Sequence, residues 1–265
     1  MLELYHHGTS VCAAKPRILL AEKGLEWQGH YIDILKGEQF APDYLKLNSK
    51  GVVPTLIHDG RVLRESTLIG EYIDEVFPDP PMKPADALGR HTMRMWTKRI
   101  DEELFPATAV VTFAISHRHA VLANPPAVLD EYVNKLGPAE APRRRKRLET
   151  GIDDADAAAA IKVYDKFLAD METALGRGKW LAGDAFSLAE VGAIPFVNRL
   201  DMLALSGMWT EKRPRLTDWW ERIKARPMFQ DAMFKYVPPP LRQLMTDKGK
   251  EAWPKVKAIL AGAKA

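Results

Sequence analysis

The chain has 265 residues, 46% hydrophobic and 28% charged, with a formal net charge of +3, a composition that suits one large or two ordinary globular domains. So small a charge excess falls short of the basic footprint of a dedicated nucleic-acid binder, and a single cysteine, Cys12, excludes an intramolecular disulfide or a multi-cysteine metal site. No signal-like segment opens the chain and no apolar run approaches the ~20 residues that span a bilayer, so a cytoplasmic protein that does not engage membranes is expected.

Residues 2–5 alternate as a short strand, and after the loop 6–9 a helix is predicted over 11–23, stopped by Gly24. Residues 30–33 offer a second strand, giving a β-α-β unit whose crossover implies parallel pairing. An irregular stretch then leads to Val53-Pro54. A proline between these neighbours belongs at a strand entrance and is a candidate for a cis bond. Residues 55–58 and 61–64 read as a hairpin around Asp59-Gly60, and Ser66 is placed to cap a helix over 67–77 whose Leu68, Ile69, Tyr72, Ile73 and Val76 share one face. The proline-rich run 77–84 cannot continue that helix. A small α/β domain over 1–78 and a linker over 79–89 are therefore expected.

Beyond the linker strand signals nearly vanish. Apolar spacing predicts amphipathic helices over 91–105 and 161–175, and Ser187-Leu188-Ala189-Glu190 is a capping box, with Phe186 and Val191 as its staple, before a nearly all-apolar helix. Trp219-Trp220 opens another helix that stops at Arg226-Pro227, and a short one follows to Phe234. Residues 90–265 are thus expected to form an all-α domain. His117 and His119, two apart, face away from each other on a helix, so no metal site is assigned. The run Arg143 to Arg147 reads as a solvated face able to attract anions.

Chemistry concentrates in the first domain. The N-terminus of the 67–77 helix offers unpaired N–H groups and the positive end of a dipole to a carboxylate, and Glu65 beside it would attract an ammonium group. Glu65 and Ser66 together suit an α-amino acid end, and Val53 a peptide backbone.

The order of these pieces resembles the cytosolic glutathione transferase family: a thioredoxin-like α/β N-terminal domain with a Val-Pro turn and a Glu-Ser pair, a proline-rich linker, and a helical C-terminal domain with a capping box. The resemblance covers essentially the whole chain. It implies a cytoplasmic homodimeric enzyme that uses glutathione, with Val53 and Pro54 at its cysteinyl unit, Glu65 and Ser66 at its γ-glutamyl end, and Gln39 and Lys50 at its glycine carboxylate. Gln39 and Lys50 are also open to a reading as solvated loop residues.

Glutathione reacts as a thiolate, yet an unperturbed thiol has a pKa of ~8.5, so the site needs a donor and positive potential. Ser10 matches the serine of serine-type transferases, and Cys12 the cysteine of cysteine-type classes and of glutathione-dependent hydroquinone dehalogenases; both also fit the start of a helix structurally. Residues 93–102, Ala225-Arg226-Pro227 and the Arg143 to Arg147 run before Gly151 look like segments of the bacterial lignin β-etherases. That implies attack of glutathione thiolate on a hydrophobic aromatic electrophile, an aryl-ether carbon, with loss of a phenolate. Alternatives are a thiol transferase or reductive dehalogenase acting through Cys12, and a carrier of glutathione and aromatic ligands without turnover. The acceptor pocket is expected between the domains, with Met95, Phe105, Val111 and Phe113 as lining candidates.

Overall fold

The computed structural model describes residues 1–134 and 137–262. Strand β1 (Leu2–His6), helix α1 (Val11–Glu22), β2 (Gln28–Tyr31), α2 (Pro42–Leu47), β3 (Thr55–His58), β4 (Arg61–Leu63) and α3 (Ser66–Val76) come first. The sheet order is β2-β1-β3-β4, with β1 parallel to β2 and antiparallel to β3, and β3 antiparallel to β4. This is the β-α-β then β-β-α order read from the sequence.

Strand β2 lies two residues earlier than the apolar alternation at 30–33 implied. The pairing with β1 decides its register: Tyr5 stands opposite His30 and stacks on it at 4.4 Å, and His30 Nε2 meets Glu3 Oε2 at 2.9 Å. These cross-strand contacts outweigh the single-strand pattern.

Helices α4 (Ala87–Arg99), α5 (Phe105–Thr112) and α6 (Arg118–Leu122) run on through two π-helical segments, Ile100–Leu104 and Phe113–His117. The wider π turns let the run continue through Pro106, which sits in the first turn of α5 where its missing N–H is tolerated. Then follow α7 (Pro126–Asn134), α8 (Ala141–Thr150), α9 (Ala155–Ala174), α10 (Leu188–Met202), α11 (Gly207–Thr210), α12 (Pro214–Lys224), α13 (Met228–Met233) and α14 (Pro239–Leu260). Among the described residues no helix is long and apolar enough to cross a membrane.

Two compact units interleave along the chain. The first comprises Met1–Asp101, Met171–Asn198 and Pro214–Pro238, and the second Glu102–Asp170, Arg199–Arg213 and Pro239–Ala265. In the first, Leu4, Leu56, Ile18, Leu19, Ile69 and Ile73 are buried between the sheet and its helices. Arg17, on the other side of α1, is buried too, donating to the carbonyls of His7, Gly8 and Ala232. Four backbone and ring acceptors around one guanidinium make that burial tolerable. The proline-rich linker is held by Lys23, whose fully buried Nζ reaches Phe77 O and Pro80 O at 2.7 Å and Asp74 Oδ1 at 2.8 Å. In the second unit Tyr164 Oη and Thr108 Oγ1 are 2.6 Å apart, and Arg199 Nη1 donates to Thr112 Oγ1 at 2.8 Å.

Beneath the loop after β1, His6 is enclosed by Trp27, Tyr31 and Tyr236, with Arg17 Nη1 at 3.4 Å from its Nδ1. Burial, reinforced by the charges of Arg17, His7 and His30, lowers its pKa to about 3. The folded protein holds His6 neutral while the unfolded chain protonates it near pH 6.5, so its contribution is intact above 6.5 and lost as pH falls toward 3. The stability difference between the wild type and His6→Gln, measured by urea unfolding, is expected to shrink by up to about 1.4 kcal/mol per pH unit across that window. A difference independent of pH would refute this.

Candidate active site

The loop after β1 delivers Ser10 to the N-cap position of α1 in an extended conformation, φ −70° and ψ 116°, and its Oγ accepts from Ala13 N at 3.1 Å. Because that bond uses a lone pair, the Ser10 proton stays free to be donated outward, beside the positive end of the α1 dipole. One turn holds both thiolate candidates. Cys12 is partly buried, and burial pushes its thiol up, opposed by Lys15 and Ser66 and supported by Asp101 and Glu65.

Glu65 precedes α3 at φ 67°, a left-handed conformation that is uncommon outside glycine and typically costs about 1–3 kcal/mol. It occupies the N-cap position itself, and no side chain caps α3. Ser66, expected as that cap, is instead the first helical residue, and it is buried. The α3 N–H groups are consequently left without a side-chain cap, a receptive end for an anion. Lys50 Nζ meets Glu65 Oε1 at 2.6 Å, both side chains being more than half exposed.

Val53 is buried and its bond to Pro54 is cis. Its backbone N–H and C=O make no hydrogen bond to another described residue outside the regular elements. The preceding residue is anchored, since Val52 O accepts from Tyr44 Oη at 2.7 Å and Asn48 Nδ2 at 2.9 Å. Gln39 turns back on its own loop, with Nε2 3.4 Å from Ile34 O and Oε1 buried without a partner.

Several residues at this site escaped the sequence reading. Lys15, 3% exposed, reaches Asp101 Oδ1 at 2.6 Å and Thr67 Oγ1 at 3.2 Å, and so places a cation close to Cys12. A lysine three residues before buried Ile18 and four after buried Val11 was the available signal. Tyr44, which steadies the turn before Pro54, gave none.

The acceptor candidates do not form one wall. Val111 is fully buried, Met95 and Phe105 are each 44% exposed, and Phe113 lines a pocket formed within the second unit alone. The arginine run is more than a solvated face: Arg143 and Arg145 bind Asp156 and Asp130 at the surface, whereas Arg144 and Arg147 line that same pocket. Among the described residues no three His, Cys, Asp or Glu side chains gather as a metal site would require.

Two family models match this chain. The family model for the glutathione S-transferase N-terminal domain matches residues 9–76, and that for the C-terminal domain residues 141–222. Protein LigF of Sphingobium sp. (strain NBRC 103272 / SYK-6) is 31% identical over 240 residues, which cover 88% of this chain and 93% of its own. The crystal structure of beta-etherase LigF from Sphingobium sp. strain SYK-6 matches with a TM-score of 0.77 at 31% identity, covering 88% of this chain and 99% of that one. The tetrachloro-p-hydroquinone reductive dehalogenase of Sphingobium chlorophenolicum is 27% identical over 243 residues, 87% of this chain and 95% of its own.

Proposed function

Given that the chain belongs to the glutathione S-transferase family and is an enzyme with glutathione as cosubstrate, we propose that Ser10 stabilises the glutathione thiolate and that the thiolate attacks an aryl-ether carbon. The observation that carries this reading is the Ser10 hydroxyl, which accepts from Ala13 N and retains its proton for a sulfur placed at the start of α1. A hydroxyl donor lowers a thiol pKa by favouring the charged form, and the helix end adds to it. Likeness to a β-etherase supports the substrate class.

In this reading the thiolate forms a C–S bond as the C–O bond breaks, and the electron pair leaves on a phenolate. Phenols have a pKa near 10, so the phenolate departs without a dedicated general acid. The first 78 residues bind glutathione and residues 90–265 supply the acceptor site, with 79–89 between them. Val53 pairs its backbone with the cysteinyl unit. Glu65 receives the ammonium group and Ser66 the neighbouring carboxylate, while Lys50 leaves Glu65 for the glycine carboxylate near Gln39, so one ion pair is exchanged for two. The same reading makes the enzyme cytoplasmic.

Replacing Glu65 with Ala is expected to weaken glutathione binding by the about 1–3 kcal/mol typical of a charge-assisted pair. Calorimetry showing wild-type affinity would reject this placement. We further infer an isologous two-fold homodimer, so light scattering at micromolar concentration is expected to give twice the chain mass; a single-chain mass would count against it. The reaction itself is tested by a panel of a β-aryl ether, a chlorinated arene and a glutathione mixed disulfide. Turnover of the disulfide alone would overturn the proposal in favour of Cys12 chemistry.

A further inference from the structure

The second unit contains a pocket of about 280 Å³ that includes none of the residues assigned to glutathione. Its walls come from Val110 and Phe113 on the α5 run, Tyr132 on α7, and Arg144 and Arg147 on α8. Arg144 and Arg147, three apart on α8, both reach the pocket, while Arg143 shares Asp156 with Arg147 at 3.0 Å and Arg145 takes the surface carboxylate of Asp130 at 2.6 Å.

Two features make this pocket unlike a packing defect. The Arg144 guanidinium lies 3.7 Å from the centroid of the Tyr132 ring, and Tyr132 is nearly parallel to Phe113, at 7° and 6.5 Å, so flat aromatic surfaces stand beside a fixed cation. Within the same pocket lining, Arg144 Nη1 and Arg147 Nε are buried with no hydrogen-bond partner among the described residues. A buried guanidinium N–H left unpaired is costly, and a carboxylate is its best acceptor.

Three carboxylates, Glu140, Asp154 and Asp156, line the pocket beside the two guanidiniums, and two of them already have donors. Asp156 is already engaged by Arg147 Nη2 at 2.6 Å and Arg143 Nη2 at 3.0 Å, and these bonds hold its carboxyl below the usual range. Asp154 accepts from Asp156 N at 2.9 Å and Thr150 Oγ1 at 3.3 Å. Glu140 is the third carboxylate of the wall. Gly151, at φ 55°, closes one side, where a Cβ would strike the Arg118 guanidinium.

We propose that this pocket is a second ligand site, specific for a small aromatic carboxylate. The acid group accepts from Arg144 Nη1 and Arg147 Nε while the ring lies on Tyr132 and Phe113. The volume, at the lower end for ligand pockets, suits a substituted benzoate rather than a fused polycyclic acid.

The test is calorimetric titration of the full-length protein with benzoate and, separately, benzamide, in the presence of saturating S-hexylglutathione, a thioether that fills the transferase site. Benzoate is expected to bind with S-hexylglutathione present and benzamide at least about tenfold more weakly, as loss of a charge-assisted bond implies. Arg144→Met is expected to weaken benzoate binding about tenfold or more and Tyr132→Leu to weaken it too. Arg145→Met, on the same helix but paired with Asp130, is expected to bind as the wild type does, which separates a lost contact from a damaged helix. Absence of benzoate binding, displacement by S-hexylglutathione, equal binding of benzamide, or indifference to Arg144→Met would each overturn the assignment.

Discussion

Ser10→Ala is expected to lower kcat/KM for conjugation at neutral pH by about 10–100-fold, while Cys12→Ser stays close to wild type. The magnitude follows from removing one hydrogen bond to a charged acceptor, worth about 1.5–3 kcal/mol, in a site where that charge is the reacting group. The apparent pKa of bound glutathione should rise in Ser10→Ala, so the pH–rate profile shifts to higher pH and activity partly recovers under alkaline conditions. Cys12 is a poor thiolate because burial pushes its thiol up despite Lys15 and Ser66. Were Cys12 the nucleophile, serine could not replace it, since its hydroxyl is barely ionised at neutral pH. The opposite ranking of the two variants would identify cysteine chemistry. No change in either would assign the thiolate to the N–H groups at the start of α1.

The largest loss of stability is expected at Glu190. Fully buried, its carboxyl accepts from Leu181 N at 2.6 Å and from Ser187 N and Oγ at 3.0 Å each, while Ser187 Oγ accepts in turn from Ala189 N at 3.2 Å. The capping box therefore ties the loop before α10 as well as the helix start. Glu190→Ala strands two buried N–H groups, at about 1–3 kcal/mol each, so a loss of about 3–5 kcal/mol is expected in denaturant unfolding near pH 5. Ser187→Ala, which removes a cap alone, should cost about 1 kcal/mol. Equal losses in the two variants would refute the distinction.

The pH dependence has a definite sign. Burial raises Glu190 to about 7, against the pull of its three hydrogen bonds. A raised carboxyl contributes stability fully present below its unfolded pKa of about 4.5 and lost as pH rises through 7. The gap between wild type and Glu190→Ala should narrow over that range. His6 acts in the opposite direction below pH 6.5, so the two partly offset each other between about pH 4.5 and 6.5.

What was legible in the sequence was local. Alternation, Gly24, Asp59-Gly60 and the Ser187 to Glu190 box each fix backbone within a few residues, and they yield the strand and helix order and the frame around Ser10. Long-range partners were not legible: Lys15 meets Asp101 across 86 positions, and Arg17 meets Ala232 across 215. The left-handed Glu65 was hidden because no turn residue advertises it. Arg144 and Arg147 read as part of a charge run because composition weighs all five residues alike, whereas α8 turns these two inward.

The burial of Arg17 also imposes an order of assembly during synthesis. Its Nε partner, Ala232 O, lies about 150 residues beyond the end of the thioredoxin-like segment, and at the usual ~5–20 residues per second a ribosome needs about 10–30 s to reach it. Through that interval the nascent N-terminal segment carries a guanidinium facing a surface that does not yet exist. Its sheet can form while one side of α1 stays hydrated, and that side dries only when α13 docks. An excised N-terminal fragment would remain in this unfinished state, so the natural cutting points of the polypeptide are not the boundaries of its sequence motifs.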